Sequence, residues 1–219
     1  MVRVKICGIT NGHDARAATE LGAAALGFNF YEKSPRATTP ADAWEVRQTL
    51  PRDVLAIGVF VDWKPTAVVA LAKALELSAV QLHGDESPRD ASFCARKVAV
   101  IKAFRVGEDF SLAELGKFRS VSQFLLDAAR PGQYGGTGQT TNWDLARKAV
   151  ARGPIILAGG LTPENVAEAI LAVRPYAVDV ASGVESKLGK KDHGKMKEFF
   201  AEVERANREL TRRGNETTK

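Results

Sequence analysis

Two apolar runs of the sequence end on side chains that can transfer protons. The run VRVKIC ends on Cys7, directly before Gly8, and the run SQFLLDA contains Asp127. A thiolate and a carboxylic acid can act as base and acid on a substrate held between them. Each residue also has a plainer explanation. A free cysteine usually fills a core, and an aspartate often caps a helix or forms a salt bridge.

Two glycine-containing turns are suited to binding an anion. LAGGLTPENV passes through Gly159 and Gly160 into a helix start, and VASGVE offers Ser182 and Gly183. Backbone N–H groups without side-chain obstruction approach an anion closely at such places. The glycines could simply turn the chain, but two turns of this kind after the last two predicted strands favour phosphate binding.

One arginine is a candidate for binding a carboxylate. Arg36 lies in the segment YEKSPRA, directly after a proline that stiffens the approach. A guanidinium can hold a carboxylate through two parallel hydrogen bonds. An isolated loop arginine is more often solvated surface. This one follows the second predicted strand, where functional loops are expected.

The elements that must position these residues alternate regularly. The sequence predicts eight strands, each followed by a helical segment, which favours right-handed βαβ units and a parallel sheet. An eightfold repeat predicts an α/β fold with a single closed (β/α)₈ barrel over residues 1–219, ending in a polar frayed tail at about 210–219. An open doubly wound sheet is the alternative, but GxGxxG is missing after the first strand. The predicted strands are VRVKIC, AALGFNF, VLAIGVFVD, SAVQLHG, VAVIKAFRV, SQFLLDA, GPIILAGG and YAVDVASGVE.

Polar side chains collect at the carboxyl ends of these strands, where barrels of this class place their active sites. The strands of Cys7 and Asp127 are three apart around the predicted ring, so the two side chains can face each other across its mouth. The strand-end residues are Cys7, Asn29, Asp62, Gln81, His83, Lys102, Asp127, Gly159, Gly160, Asp179 and Ser182.

Composition narrows the function classes. The chain of 219 residues has a net charge of +5 and two cysteines, which argues against a disulfide framework or a multi-cysteine metal site. The start MVRVKICGIT lacks a secretory pattern, and no apolar run approaches a membrane span, so we expect a cytoplasmic protein without a membrane partner. The basic residues are scattered without interleaved aromatics, which argues against nucleic-acid binding.

Six blocks in order along the chain resemble the phosphoribosylanthranilate isomerase family of tryptophan biosynthesis. They are KICGIT, GFNFYEKSPR, QLHGDE, LLDA with GGTG downstream, LAGGLTPENV and DVASGVE. The resemblance implies a (β/α)₈ barrel that performs an Amadori rearrangement of N-(5-phosphoribosyl)anthranilate, with no metal and no organic cofactor. It implies a small phosphorylated substrate as partner and a monomer or a homodimer.

The resemblance also implies roles for particular residues. Cys7 matches the general base and Asp127 the general acid. Arg36 matches the anchor of the anthranilate carboxylate, and Asp179 lies where a sugar hydroxyl would be. The phosphate cradle corresponds to Gly159, Gly160, Ser182 and Gly183.

A modest lowering of the Cys7 pKa, to which Lys5 could contribute, would let the thiol act near neutrality. Two departures from the family pattern are small: GGTGQ lacks a lysine after its last glycine, and Ala181 replaces a common serine.

Two other functions remain open from the sequence. A related histidine-pathway isomerase also opens a phosphoribosyl aminal, but that family has an aspartate at the position of Cys7 and a second phosphate turn where this chain reads VDWKPT. A non-catalytic phosphosugar-binding barrel is the other. The joint presence of Cys7, Asp127 and Arg36 argues against such a barrel and against a basic nucleic-acid binder.

Overall fold

Eight parallel strands form a closed ring in the computed structural model, which describes residues 1–107, 110–127 and 143–216. Each strand pairs with its neighbours in sequence, and β8 closes the ring on β1. The predicted (β/α)₈ barrel is thereby confirmed. The strands are β1 (Arg3–Cys7), β2 (Ala25–Asn29), β3 (Leu55–Phe60), β4 (Ala79–Leu82), β5 (Ala99–Arg105), β6 (Gln123–Asp127), β7 (Ile155–Ala158) and β8 (Ala177–Val180).

Helices surround this ring and begin where the sequence supplies caps. Thr39 and Ser87 precede prolines at the first helical turn, and their side chains accept from the backbone N–H groups of Asp42 and Asp90. Such caps satisfy donors that the first turn leaves unpaired. The helices are α1 (Gly12–Glu20), α2 (Pro40–Thr49), α3 (Pro65–Ala74), α4 (Pro88–Ala95), α5 (Trp143–Ala149), α6 (Val166–Val173) and α7 (His193–Glu216).

The core has two layers, one between strands and helices and one inside the ring. The outer layer contains fully buried large side chains such as Phe28, Phe60 and Phe199. Each stabilises the fold by about 1.5–3 kcal/mol relative to exposure. The inner layer is small and aliphatic and consists of Ala25, Ile57, Ala79, Ile101, Ala103, Leu125, Ile156, Ala158 and Ala177.

Three buried polar residues, Lys5, Gln81 and Asp179, lie on the same inward face and closer to the carboxyl ends of their strands. Gln81 follows Ala79 by two positions and Asp179 follows Ala177 by two, so both point into the ring. Lys5 pairs in register with Ala25 on one side and Asp179 on the other. All three polar side chains are at least nine-tenths buried. The ring interior therefore changes from apolar to polar toward its mouth.

The sequence-based picture differs from the structure in three places. The segment after β5, predicted as a short helix, contains only a 3₁₀ turn at Leu115–Lys117 among its described residues. The predicted frayed tail is helical through Glu216, where ion pairs join Arg212 and Arg213 to Glu209. A two-stranded antiparallel hairpin of β9 (Glu185–Lys187) and β10 (Lys190–Lys191), absent from the prediction, follows β8.

Within the described ranges, the helices are all too short or too polar to cross a membrane.

Candidate active site

Cys7 ends β1 at the mouth of the ring, and the glycine after it has a structural reason. Gly8 has a φ of +73°, which favours glycine, and a Cβ on it would stand 2.6 Å from Cδ of Arg36. The stem of Arg36 therefore lies directly on the Gly8 backbone. The Cys-Gly pair brings a thiol and a guanidinium to the same side of the mouth.

The Cys7 thiol shares a small interior space with the ammonium of Lys5. Gly27 lies opposite Cys7 in register, and a Cβ there would stand 2.9 Å from the Cys7 Sγ and 3.1 Å from the Lys5 Nζ. Lys5 Nζ donates to Asp179 Oδ1 at 2.8 Å, and both partners are buried. The thiol therefore lies beside a buried ion pair.

Burial dominates the ionisation of Cys7. Desolvation raises the pKa of the thiol, the positive charges of Lys5 and Lys191 oppose this, and the Asp179 carboxylate adds to it, with a net upward shift. The pKa of Lys5 is also raised, because Asp179 and Cys7 outweigh the desolvation that would lower it. The modest lowering of the Cys7 pKa that would let the thiol act near neutrality is therefore not found, because desolvation outweighs the nearby positive charges.

Arg36 is held by a carboxylate from the hairpin. Its Nε and Nη2 donate to Oε1 and Oε2 of Glu185, each at 2.7 Å. Lys191 Nζ donates to the same carboxylate at 3.1 Å and to the backbone oxygen of Ala181 at 3.0 Å. Burial would raise the pKa of Glu185, but its bonds to Arg36 and Lys191 outweigh burial and lower it.

The two glycine turns after β7 and β8 pack against each other. Gly159 and Gly160 have φ values of +85° and +65°. A Cβ on Gly183 would stand 1.9 Å from the backbone oxygen of Leu161, so the turns touch backbone to backbone. Ser182 begins a 3₁₀ turn, Ser182–Val184. This arrangement gives adjacent loops with exposed backbone, the usual form of a phosphate site in such barrels.

Asn165 braces the first of these turns. Its Nδ2 donates to the Gly160 oxygen, and its Oδ1 accepts from the Thr162 N–H, both at 2.9 Å. The turn is therefore fixed before any ligand arrives.

Asp127 ends β6, three strands from Cys7 around the ring. Its Oδ2 lies 3.4 Å from Nε2 of His83, and the His83 Nδ1 lies 2.8 Å from the side-chain amide nitrogen of Gln81. About a fifth of the Asp127 side chain is exposed, so it can meet a ligand in the mouth. A thiol and a carboxyl group thus flank the opening from opposite sides.

One of the polar strand-end residues predicted from the sequence, Lys102, does not face the interior of the ring. Lys102 points away from the ring interior, because its neighbours Ile101 and Ala103 face inward. It forms a buried ion pair with Glu86 at 2.9 Å on the outer side of the sheet. The GGTGQ segment lies outside the described residues. The predicted site residues that lie near the carboxyl ends of the strands or in the loops that follow them are Cys7, Arg36, Asp127, Gly159, Gly160, Asp179, Ser182 and Gly183.

Sequence reasoning did not find the residues that support these groups. Gly27 makes room for the thiol, and Glu185 and Lys191 hold Arg36. The only sequence signal is weak: GFNF places a glycine within a strand, which often marks a close approach.

One group outside the mouth has the composition of a metal site. Ligand atoms of His13, Asp14 and His193 lie within 4.8 Å of one another. The Asp14 carboxylate is already bonded to His193 Nε2 and to the Lys191 backbone N–H, each at 2.9 Å. These contacts join the start of α1 to β10 and to the start of α7. The absence of a catalytic metal stays a prediction.

Comparison with protein families identifies one that spans most of the chain. The family model described as N-(5'phosphoribosyl)anthranilate (PRA) isomerase matches residues 4–202. The N-(5'-phosphoribosyl)anthranilate isomerase of Trichlorobacter lovleyi is 51% identical over 209 residues, covering 94% of this chain and 100% of the relative. That of Geobacter sulfurreducens is 52% identical over 200 residues, covering 91% and 97%.

Comparison with solved structures finds isomerases with the same description. The phosphoribosyl anthranilate isomerase of Thermotoga maritima has a TM-score of 0.88 at 44% identity, covering 93% of this chain and 99% of that one. A structure of such an isomerase in complex with reduced 1-(o-carboxyphenylamino)-1-deoxyribulose 5-phosphate has a TM-score of 0.84 at 42% identity, with the same coverage. Monomers generated from the dimeric Thermotoga maritima enzyme score 0.83 at 41% identity, again covering 93% and 99%.

Proposed function

This chain belongs to the N-(5'-phosphoribosyl)anthranilate isomerase family, and we propose that it performs the family's reaction with Cys7 as general base and Asp127 as general acid. The reaction is the Amadori rearrangement of N-(5'-phosphoribosyl)anthranilate to 1-(2-carboxyphenylamino)-1-deoxyribulose 5-phosphate in tryptophan biosynthesis.

In the proposed binding mode the two ends of the substrate lie on different loops. The phosphate occupies the paired turns of Gly159–Gly160 and Ser182–Gly183, and the anthranilate carboxylate meets Arg36. Asp179 accepts a hydrogen bond from a sugar hydroxyl through an oxygen that Lys5 does not use. The related structure with a reduced carboxyphenylamino ribulose phosphate supports this, because that ligand has both a phosphate and a carboxylate.

The first chemical step opens the furanose ring. Asp127 gives its proton to the ring oxygen, and the bond between C1 and that oxygen breaks. The nitrogen lone pair forms the C1=N bond, which leaves a cationic Schiff base. Asp127 must therefore carry the proton when substrate binds.

The second step moves a proton from C2. The Cys7 thiolate takes this proton, the C1=C2 bond forms, and the electrons of C1=N return to the nitrogen. The resulting enolamine gains a proton at C1 and loses one from its C2 hydroxyl, which gives the ketone. The iminium makes the C2 proton acidic, so a thiolate is a sufficient base.

The observation that carries the proposal is the position of the Cys7 thiol. It lies beside the Lys5 ammonium at the mouth, with Asp127 on the opposite side of the ring. An inert core cysteine has no buried cation as a neighbour. Cys94 differs in its neighbours: its charged neighbours are carboxylates rather than a cation, and desolvation together with these carboxylates raises its pKa to about 11.

The test follows the loss of freshly made phosphoribosylanthranilate with the purified protein. Cys7→Ser and Asp127→Asn nearly preserve shape, so each should lose at least ~100-fold in kcat. Both should keep their affinity for a reduced product analogue. Near-normal turnover by Cys7→Ser would defeat the assignment. A wild-type protein that binds the analogue without turnover would be a non-catalytic phosphosugar-binding barrel.

The proposal also includes the cofactor requirement, the cellular compartment, the domain organisation and the partners of the enzyme. We expect activity to survive EDTA and dialysis, since no metal or organic cofactor has a step. The cytoplasm keeps free thiols such as those of Cys7 and Cys94 reduced, so we place the enzyme there. We propose one domain over residues 1–219, no nucleic-acid or membrane partner, and a monomer or a homodimer, which sedimentation distinguishes.

A further inference from the structure

The orientation of the Arg36 side chain is fixed by Glu185 and by the close approach of Gly8. Its pair with Glu185 uses Nε and one N–H of Nη2. A guanidinium has five N–H groups in a planar fork, so the edge formed by Nη1 and the second N–H of Nη2 takes no part in this pair. That edge can receive a second carboxylate through two parallel bonds.

Glu185 is itself fixed by a second cation. Lys191 Nζ lies 3.1 Å from Oε1, and the side chain of Lys191 is fully buried. The Glu185 side chain is 4% exposed, against 18% for Arg36. The carboxylate therefore lies beneath the guanidinium, away from solvent, between two cations that both favour its ionised form.

The hairpin that supplies both residues is attached to the loops after β1 and β2. Thr10 Oγ1 donates to the Gly189 oxygen at 2.8 Å, and the Lys191 N–H donates to Asp14 Oδ2 at 2.9 Å. Gly189 has a φ of +75°, and a Cβ there would stand 2.9 Å from the Pro35 oxygen. The hairpin tip thus packs next to the residue that precedes Arg36.

The carboxylate of Glu185 is therefore the group that orients the guanidinium of Arg36. A buried ion pair is weak evidence for stability, because desolvation offsets much of the attraction. It is better evidence for geometry, since two short parallel bonds define a plane. Gly8 leaves room for the stem of Arg36, and Glu185 fixes its head.

We propose that Glu185 is a positioning residue for the substrate's carboxylate, and that it presents the Nη1–Nη2 edge of Arg36 while Lys191 holds it in place. The inference rests on the proposed role of Arg36 as the carboxylate anchor. Glu185 acts through Arg36 and touches no reacting atom. Its loss therefore weakens binding of the aromatic end of the substrate and leaves both proton transfers intact.

The test is Glu185→Gln, which keeps the size and removes the charge. KM for phosphoribosylanthranilate should rise about tenfold while kcat changes less than about threefold, as expected when an oriented charge contact is lost. Inorganic phosphate should inhibit as in the wild type, because it binds at the glycine turns. Glu32→Gln, an exposed carboxylate in the same loop as Arg36, is the matched control and should change neither constant.

A double-mutant cycle separates this inference from the role of Arg36. In an Arg36→Ala background, Glu185→Gln should change KM by less than about twofold, since the residue through which it acts is gone. If Arg36→Ala alone leaves KM unchanged, the anchor assignment fails. If Arg36→Ala raises KM and Glu185→Gln does not, the positioning role fails and the anchor stands.

A structural role gives a different pattern. Weaker inhibition by phosphate in Glu185→Gln would show that the whole mouth has changed, which overturns the proposal. Should this variant not fold, Glu185→Asp replaces it, because it keeps the charge but shortens the reach. A raised KM with wild-type phosphate inhibition then supports the proposal, and an unchanged KM refutes it.

Discussion

Gly27 of β2 lies directly opposite Cys7 of β1, and a Cβ on Gly27 would come within 2.9 Å of the thiol sulfur. The same Cβ would stand 3.1 Å from the Lys5 ammonium. A glycine in a buried strand weakens the strand. This position is therefore best explained by the space that it leaves for the thiol and its cation.

Gly27→Ala should damage catalysis more than stability. The two nearest atoms that the methyl group would meet are at the ends of the Cys7 and Lys5 side chains, which can move aside. The third is the Cys7 Cα at 3.2 Å, so the backbone of Cys7 has to shift by only a few tenths of an ångström. We expect kcat to fall roughly 10- to 100-fold, because small displacements of a reacting group are costly. Gly116→Ala, where a Cβ would meet nothing within 4 Å, is the control for kinetics and melting temperature. A Gly27→Ala enzyme with normal kcat would contradict this explanation.

The raised pKa of Cys7 predicts how activity depends on pH. Burial moves the pKa upward from 9.0, so the free enzyme holds a neutral thiol at pH 7. The value of kcat/KM, which reports ionisations of the free enzyme, should still be rising at pH 9.

Lys5→Met tests the cause of that ionisation. Loss of the ammonium that lowers the Cys7 pKa should displace the rise in kcat/KM to higher pH. Lys33→Met, an exposed change of the same charge, should leave the profile in place. A rate that is flat from pH 6 to 9 would show that ionisation of Cys7 does not limit the reaction.

Inorganic phosphate should stabilise the fold through the paired glycine turns. At about ten times its Kd, a ligand of the native state adds about 1.4 kcal/mol, or roughly 3–6 °C in Tm for a domain of this size. Potassium chloride at equal ionic strength is the control.

Gly183→Ala should abolish the phosphate effect. A Cβ there would stand 1.9 Å from the Leu161 oxygen, so the two turns must separate. The variant should melt at a lower temperature than the wild type and show no further shift with phosphate. A full shift in this variant would place the phosphate elsewhere.

Asp14 should contribute to stability only above acid pH. Burial would raise its pKa, but hydrogen bonds from the Lys191 backbone, His193 and Asn11 outweigh burial and lower the pKa from 3.8. Because the folded state then binds its proton more weakly than the unfolded state, this stability is complete above about pH 4 and is lost as the pH falls through the lowered value.

Asp14→Asn measures that contribution. In urea unfolding at neutral pH we expect a loss of about 1–3 kcal/mol. The gap from the wild type should narrow below about pH 4. Asp53→Asn, an exposed carboxylate, should show no such gap. A gap that stays constant down to pH 3 would mean that the Asp14 charge is not involved.

The periodicity of the sequence was sufficient to predict the ring, because eight apolar runs separated by helical segments have few other solutions. The segment after β5 was predicted as a helix because its local pattern suits one, yet Phe110 and Phe118 pack against Phe104 and only a 3₁₀ turn forms among its described residues. Tertiary contacts override propensity in such short segments.

The candidate site was predictable where a residue's chemistry shows in its own type. Cys7, Arg36 and Asp127 were found in this way. Glu185 was not, because its partner Arg36 is 149 positions away and no local pattern encodes that contact. The sequence also contained no sign of the direction in which Lys102 points, because a lysine near the end of a strand can face either the ring interior or the helices.

The closure of β8 on β1 has a consequence for folding. Lys5 and Cys7 come from the first strand, whereas Asp179, Glu185 and Lys191 come from the last fifth of the chain. The contact between Lys5 and Asp179 spans 174 positions of the sequence, and such long loops close slowly. A growing chain in which only the first seven strands have been synthesised already contains the Cys7 thiol. It still lacks Asp179, the counter-ion of Lys5, and Glu185, the carboxylate that fixes Arg36. Recovery of turnover during refolding should therefore lag behind recovery of secondary structure, so that enzyme activity marks the moment when the ring shuts.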